Sequence, residues 1–64
     1  MSRGIHQIYL NLGSAYEEID ELDKAEKEYR KALALNPNYT KAYESLMEIL
    51  EKKLGEDKTK KEEK

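Results

Sequence analysis

His6 is the sole histidine of this 64-residue chain, and an imidazole is the side chain best suited to move a proton or hold a metal near neutral pH. A metal site on a helix needs a second ligand about one turn away, as in His-x-x-x-His. Gln7 and Leu10 supply none, so His6 reads as a solvated residue at a helix start. The paired acids Glu17–Glu18 and Glu62–Glu63 could suggest acid–base work. No nucleophile, base or oxyanion donor accompanies them, so they read as solvated faces. Five tyrosines could stack nucleic-acid bases, but the net charge is −2 and such binding rests on excess positive charge. Lys58, Lys60 and Lys61 are nearly cancelled by Glu56, Asp57, Glu62 and Glu63. Without cysteine there is no disulfide and no thiolate chemistry. The expectation is a protein that is not an enzyme and uses no cofactor or metal, with no nucleic acid as partner.

The elements that would position these groups are helical. Charged residues make up 41% of the chain with both signs interspersed, a composition that suits a helical protein rich in Ala, Glu, Lys and Leu. No apolar run approaches 18 residues, so no membrane span is expected, and a cytoplasmic location is. Ile5, Ile8, Tyr9, Leu12, Ala15, Tyr16 and Ile19 recur at steps of three and four, predicting a helix over about 5–20. Asp20, Glu21 and Asp23 then stand where they could cap a second helix and favour its positive end. That helix, over 22–35, carries Leu22, Ala25, Tyr29, Ala32 and Leu33, with supporting pairs such as Glu26–Arg30 at one-turn spacing. Pro37 lacks an N–H and restricts Asn36, which ends the run by about Leu35. Asn38 or Thr40 could cap a third helix over 39–54, for which Gly55 is the natural stop. Residues 56–64 contain no apolar side chain and read as a disordered, charged tail. One helical domain over 1–55 results, close to the size limit for an uncrosslinked core.

Tyr9-x-x-Leu12 returns as Tyr43-x-x-Leu46, an offset of 34 residues that Ile5/Tyr39 and Ile8/Ala42 also keep. A 34-residue period built from two helices is the length of a tetratricopeptide repeat. The chain resembles that family at Tyr9, Leu12, Gly13, Tyr16, Ala25, Tyr29, Ala32 and Pro37, across His6–Tyr39. Residues Thr40–Leu54, with Tyr43 and Leu46, resemble the first helix of a second repeat. The second copy departs from the pattern, with Met47 in place of Gly13 and Leu50 in place of Tyr16. The resemblance implies an all-α antiparallel helix pair plus a capping helix, these matched residues forming its core. Gly13, Ala25 and Ala32 are small, as a close approach of the paired helices requires. The polar Glu44, Glu48, Glu51 and Lys52 suit a terminal cap.

In that family the first helix of each pair lines a concave groove that holds a peptide or helix of a partner protein. Here the resemblance implies a groove of Gln7, Leu10, Asn11, Ser14 and Glu17, continued by Lys41, Glu44, Ser45 and Glu48. Leu10 is its one clear apolar anchor. Some members clamp a peptide carboxylate with Lys, Asn and Arg. Asn11 and Lys41 fall at two such places, but Leu10, Ser14 and Ser45 occupy others, so no clamp is expected. Repeats of this kind usually need about three copies, and one and a half are present. The alternative to a peptide-binding scaffold is therefore a self-assembling module, a homo-oligomer joined through apolar surface on Ile5, Ile8 and Leu33. A further alternative is an engineered or excised minimal repeat without a ligand of its own.

Overall fold

The computed structural model describes residues 4–62, with side chains through residue 55. The described residues form three helices: α1 (Ile5–Glu18), α2 (Leu22–Leu35) and α3 (Thr40–Glu62). Gly4 starts α1 at φ +92°, a conformation that costs glycine little, and its carbonyl accepts hydrogen bonds from the N–H groups of Gln7 and Ile8.

The turn from α1 to α2 explains why the first helix stops two residues short of its expected end. Asp20 takes a left-handed φ of 65°. Its N–H donates to the Glu17 carbonyl at 3.0 Å, and the Glu21 N–H reaches back to the Tyr16 carbonyl at 2.9 Å. This pair of bonds is the Schellman closure, which satisfies carbonyls a helix end would otherwise leave open. The expected side-chain capping of α2 by this acidic run is not what forms. Glu21 occupies the N-cap with its carbonyl bonded to the Ala25 N–H, while Asp23 lies in the first turn. Aspartate in the left-handed region is costlier than glycine. Asp20→Gly is therefore expected to stabilise the chain by about 0.5–1 kcal/mol, read as a rise of a few degrees in melting temperature.

Between α2 and α3 the segment Asn36–Pro37–Asn38–Tyr39 closes a β-turn. The Tyr39 N–H donates to the Asn36 carbonyl at 3.0 Å, and the Asn36 side-chain oxygen accepts from the Asn38 N–H at 3.3 Å. Proline at the second turn position and asparagine at the first both favour this geometry. The N-cap of α3 is neither Asn38 nor Thr40 but Tyr39, whose carbonyl accepts from Ala42 and Tyr43. At the other end α3 passes through Gly55 to Glu62. The expected stop at Gly55 is thus corrected, and residues 56–62 are helical in backbone rather than an irregular tail; residues 63–64 lie outside the described residues. One glycine costs a helix about 1 kcal/mol, and the lysines and glutamates around it are good helix formers.

Both α1 and α3 pack on α2. The buried core is Leu10, Leu22, Ala25, Tyr29, Ala32, Ala42 and Ile49, with Tyr9, Tyr16, Leu33, Tyr39 and Leu46 packed partly buried against it. At Gly13 α1 lies directly against α2: a Cβ there would be 2.5 Å from the Tyr29 ring. Three expected core residues are not in the core. Pro37 is exposed in the turn, and Leu12 and Tyr43 lie on outer faces at 43% and 48% exposure. The reason is the same for both helices. Each has apolar residues on two sides, and α2 covers only one of them.

Candidate functional site

With α2 behind them, α1 and α3 meet along a polar seam. The Tyr29 hydroxyl reaches this seam from α2 and donates to Glu17 Oε1 at 2.8 Å, with Ser14 Oγ 3.4 Å away. Lys52, arriving from α3, donates to Glu17 Oε2 at 2.7 Å. Burial would raise the Glu17 carboxyl, but the bonds from Lys52 and Tyr29 prevail and hold it below the ordinary carboxylate range. Tyr29 moves the opposite way: burial first, then the neighbouring Glu17, push its phenol above the usual value, while Ser14 and Ser45 act against that shift. At the other end of α1, the His6 and Tyr39 rings meet edge to face at 4.8 Å. His6 is therefore half-buried against Tyr39 rather than simply solvated.

The expected groove residues divide accordingly. Ser14, Glu17 and Ser45 gather around the Tyr29 hydroxyl. Gln7, Asn11, Lys41, Glu44 and Glu48 are exposed. Leu10 is corrected: at 4% exposure it is a core residue, so the groove loses the apolar anchor expected of it. Glu17, read as part of a solvated acidic pair, is instead a half-buried bridge between helices. Lys52 and the Tyr29 hydroxyl were not foreseen as groove groups. The available signal was that Glu17 and Lys52 stand 35 residues apart, one repeat period plus one.

A second cross-helix clamp lies between α2 and α3. Lys53 contacts Asp23 at 2.7 Å and Glu26 at 2.8 Å, and these carboxylates push its ammonium pKa up to about 12. Glu26 also holds Arg30 at 2.8 Å, the helical pair expected from spacing. Lys53 and Arg30 together keep the Glu26 carboxyl below the ordinary range.

The other notable surface is apolar. Ile5, Ile8, Leu12, Ala15 and Ile19 are all exposed along the outer side of α1, Ile8 at 60% and Ile19 at 66%. Two of the expected self-association residues, Ile5 and Ile8, belong to this stripe; Leu33 instead packs against the core. On α3, Tyr43, Met47 and Leu54 are exposed in the same manner. Lys31 and Lys24 lie over the rings of Tyr9 and Tyr16 at 5.4 and 5.8 Å, bordering the α1 stripe with positive charge. None of the described helices is long and apolar enough to cross a membrane.

A family profile described as tetratricopeptide repeat matches residues 6–39, which is α1, α2 and the turn that follows. No curated protein and no solved structure matches the chain. Repeats of this family generally mediate contacts between proteins and are typically scaffolds rather than enzymes. The profile covers more than half of the chain and its boundaries fall on the observed helix pair, so the chain belongs to the tetratricopeptide repeat family.

Proposed function

We propose that the chain is a protein-interaction module that works by stacking its open helix faces, with further copies of itself as partner. The observation that carries this reading is the continuous exposure of Ile5, Ile8, Leu12, Ala15 and Ile19 along α1. An apolar stripe repeated on one helix face is the surface a second helix covers. The groove offers less, because Leu10 is buried beneath it and Glu17 is already engaged by Tyr29 and Lys52. A second reading, in which the groove binds a polar peptide, is favoured by the exposed Asn11, Lys41, Glu44 and Glu48.

Stacking couples folding to concentration. The melting temperature of the parent chain is expected to rise by several degrees over about a hundredfold increase in concentration. Ile8→Glu, at an exposed position where the fold itself loses little, is expected to flatten that dependence. A parent chain whose melting temperature is the same at every concentration would overturn the stacking reading.

A further inference from the structure

We infer that two copies of this chain pair through α1, the two α1 helices lying antiparallel across a twofold axis near Leu12. This rests on the stacking reading and adds to it the face, the direction and the symmetry.

The first argument is steric. Ile5, Ile8, Leu12, Ala15 and Ile19 follow one another at steps of three, four, three and four, the spacing that keeps a seam facing one partner helix. Run in the opposite direction, the same seam fits itself. Ile5 of one copy comes opposite Ile19 of the other, Ile8 packs beside the small Ala15, and Leu12 meets Leu12. An interface of this kind uses the same patch on both copies and closes at two.

The second argument is electrostatic. Among the described residues α1 has no side-chain cap at its start and no acid in its first turn. At its end it carries Glu17 and Glu18 and no basic residue in the last turn. This distribution opposes the helix's own dipole, which favours acids at the start and bases at the end. Glu17 is already held by Tyr29 and Lys52, but Glu18 is exposed. Antiparallel pairing sets Glu18 of each copy beside the uncapped start of α1 in the other. Each copy then supplies the acid that the start of α1 in the other lacks.

The outer face of α3 does not complement itself in this manner. Tyr43, Met47 and Leu54 are exposed there, but so are Glu44, Glu48 and Glu51 beside them. Pairing α3 with α3 would gather the glutamates of both copies along one seam, and like charges across an interface oppose association. With α1 only about 21 Å long, the α1 contact falls at the small end of interfaces, below about 1,200 Å² in total. The dimer is accordingly expected to dissociate on dilution.

The absence of native cysteine makes the test clean. I5C, I19C and M47C chains, each altered at an exposed position, are made separately, and an equimolar mixture of the first two is oxidised mildly. The expected product is a disulfide from I5C to I19C in large excess over either like-with-like bond, while M47C alone stays uncrosslinked. Sedimentation equilibrium of the parent chain is expected to show monomer and dimer with nothing larger. Predominant I5C-to-I5C bonds would make the pairing parallel, M47C dimers would place the interface on α3, and larger species would make it head to tail. Each of these overturns the inference while leaving self-stacking in place. A monomer at every concentration overturns both.

Discussion

Gly13→Leu is expected to cost about 3 kcal/mol or more, the upper end of overpacking, because the new side chain must share the space of a buried ring. For 64 residues a total stability of about 3–10 kcal/mol is typical, so the variant should be largely unfolded or melt far below the parent. The cause is local. Tyr29 is fully buried with its ring over Gly13, and even a single Cβ there would lie 2.5 Å from ring Cε1 and 2.7 Å from Cδ1. The ring has little room to yield, because its hydroxyl is bonded to Glu17 and stands beside Ser14 at the far end. Gly13→Ala separates this contact from helix propensity. Alanine favours the helix by about 1 kcal/mol, while overpacking costs about 1–3 kcal/mol, so the net change should be a loss. Gly55 serves as the comparison: it is also inside a helix, and a Cβ there meets nothing within 4 Å. Gly55→Ala should therefore stabilise by about 1 kcal/mol. Equal gains in melting temperature from the two alanine substitutions would remove the close contact as the reason for Gly13.

The parts of this structure legible in the sequence are those set by spacing along the chain. The 34-residue offset and the small residue at Gly13 pointed to the helix pair, and Pro37 marked the break after α2. What escaped depends on which neighbour covers each face. Family position puts Leu10 in the groove, yet α1 bounds both α2 and the seam with α3, so its buried arc is wider than one stripe. Leu12 and Tyr43 match family core positions but are covered only where another helix lies over them, and none does here. Periodicity shows that a face is apolar without naming its occupant. The Glu17–Lys52 bridge was out of reach for another reason, since it requires the relative rotation of α1 and α3. Gly55 misled because a glycine ends a helix only when a left-handed turn is adopted there, and nothing in its local sequence demands one.

Ile49→Ala should remove most of what holds α3 to the helix pair. Ile49 is fully buried, and shortening a buried isoleucine to alanine costs about 2–5 kcal/mol. The remaining contacts of α3 include the core residue Ala42, the partly buried Tyr39 and Leu46, and ion pairs from Lys52 and Lys53. Ion pairs with such exposed lysines add little. The loss is expected to be global rather than confined to α3. Helices as short as α1 and α2, 14 residues each, are marginal in isolation, and the pair alone would leave the α2 surface that Ala42 and Ile49 now cover facing water. Far-ultraviolet circular dichroism during urea titration should therefore show a single transition at lower urea, with the signal of all three helices lost together. Leu54→Ala, at a residue 64% exposed, should move the midpoint by no more than about 0.5 kcal/mol equivalent. Two separate transitions in the Ile49→Ala chain, with α1 and α2 persisting through the first, would mean that the repeat stands alone and that α3 is an appendage. The cover that α3 provides for α2 would then not be a requirement of the fold.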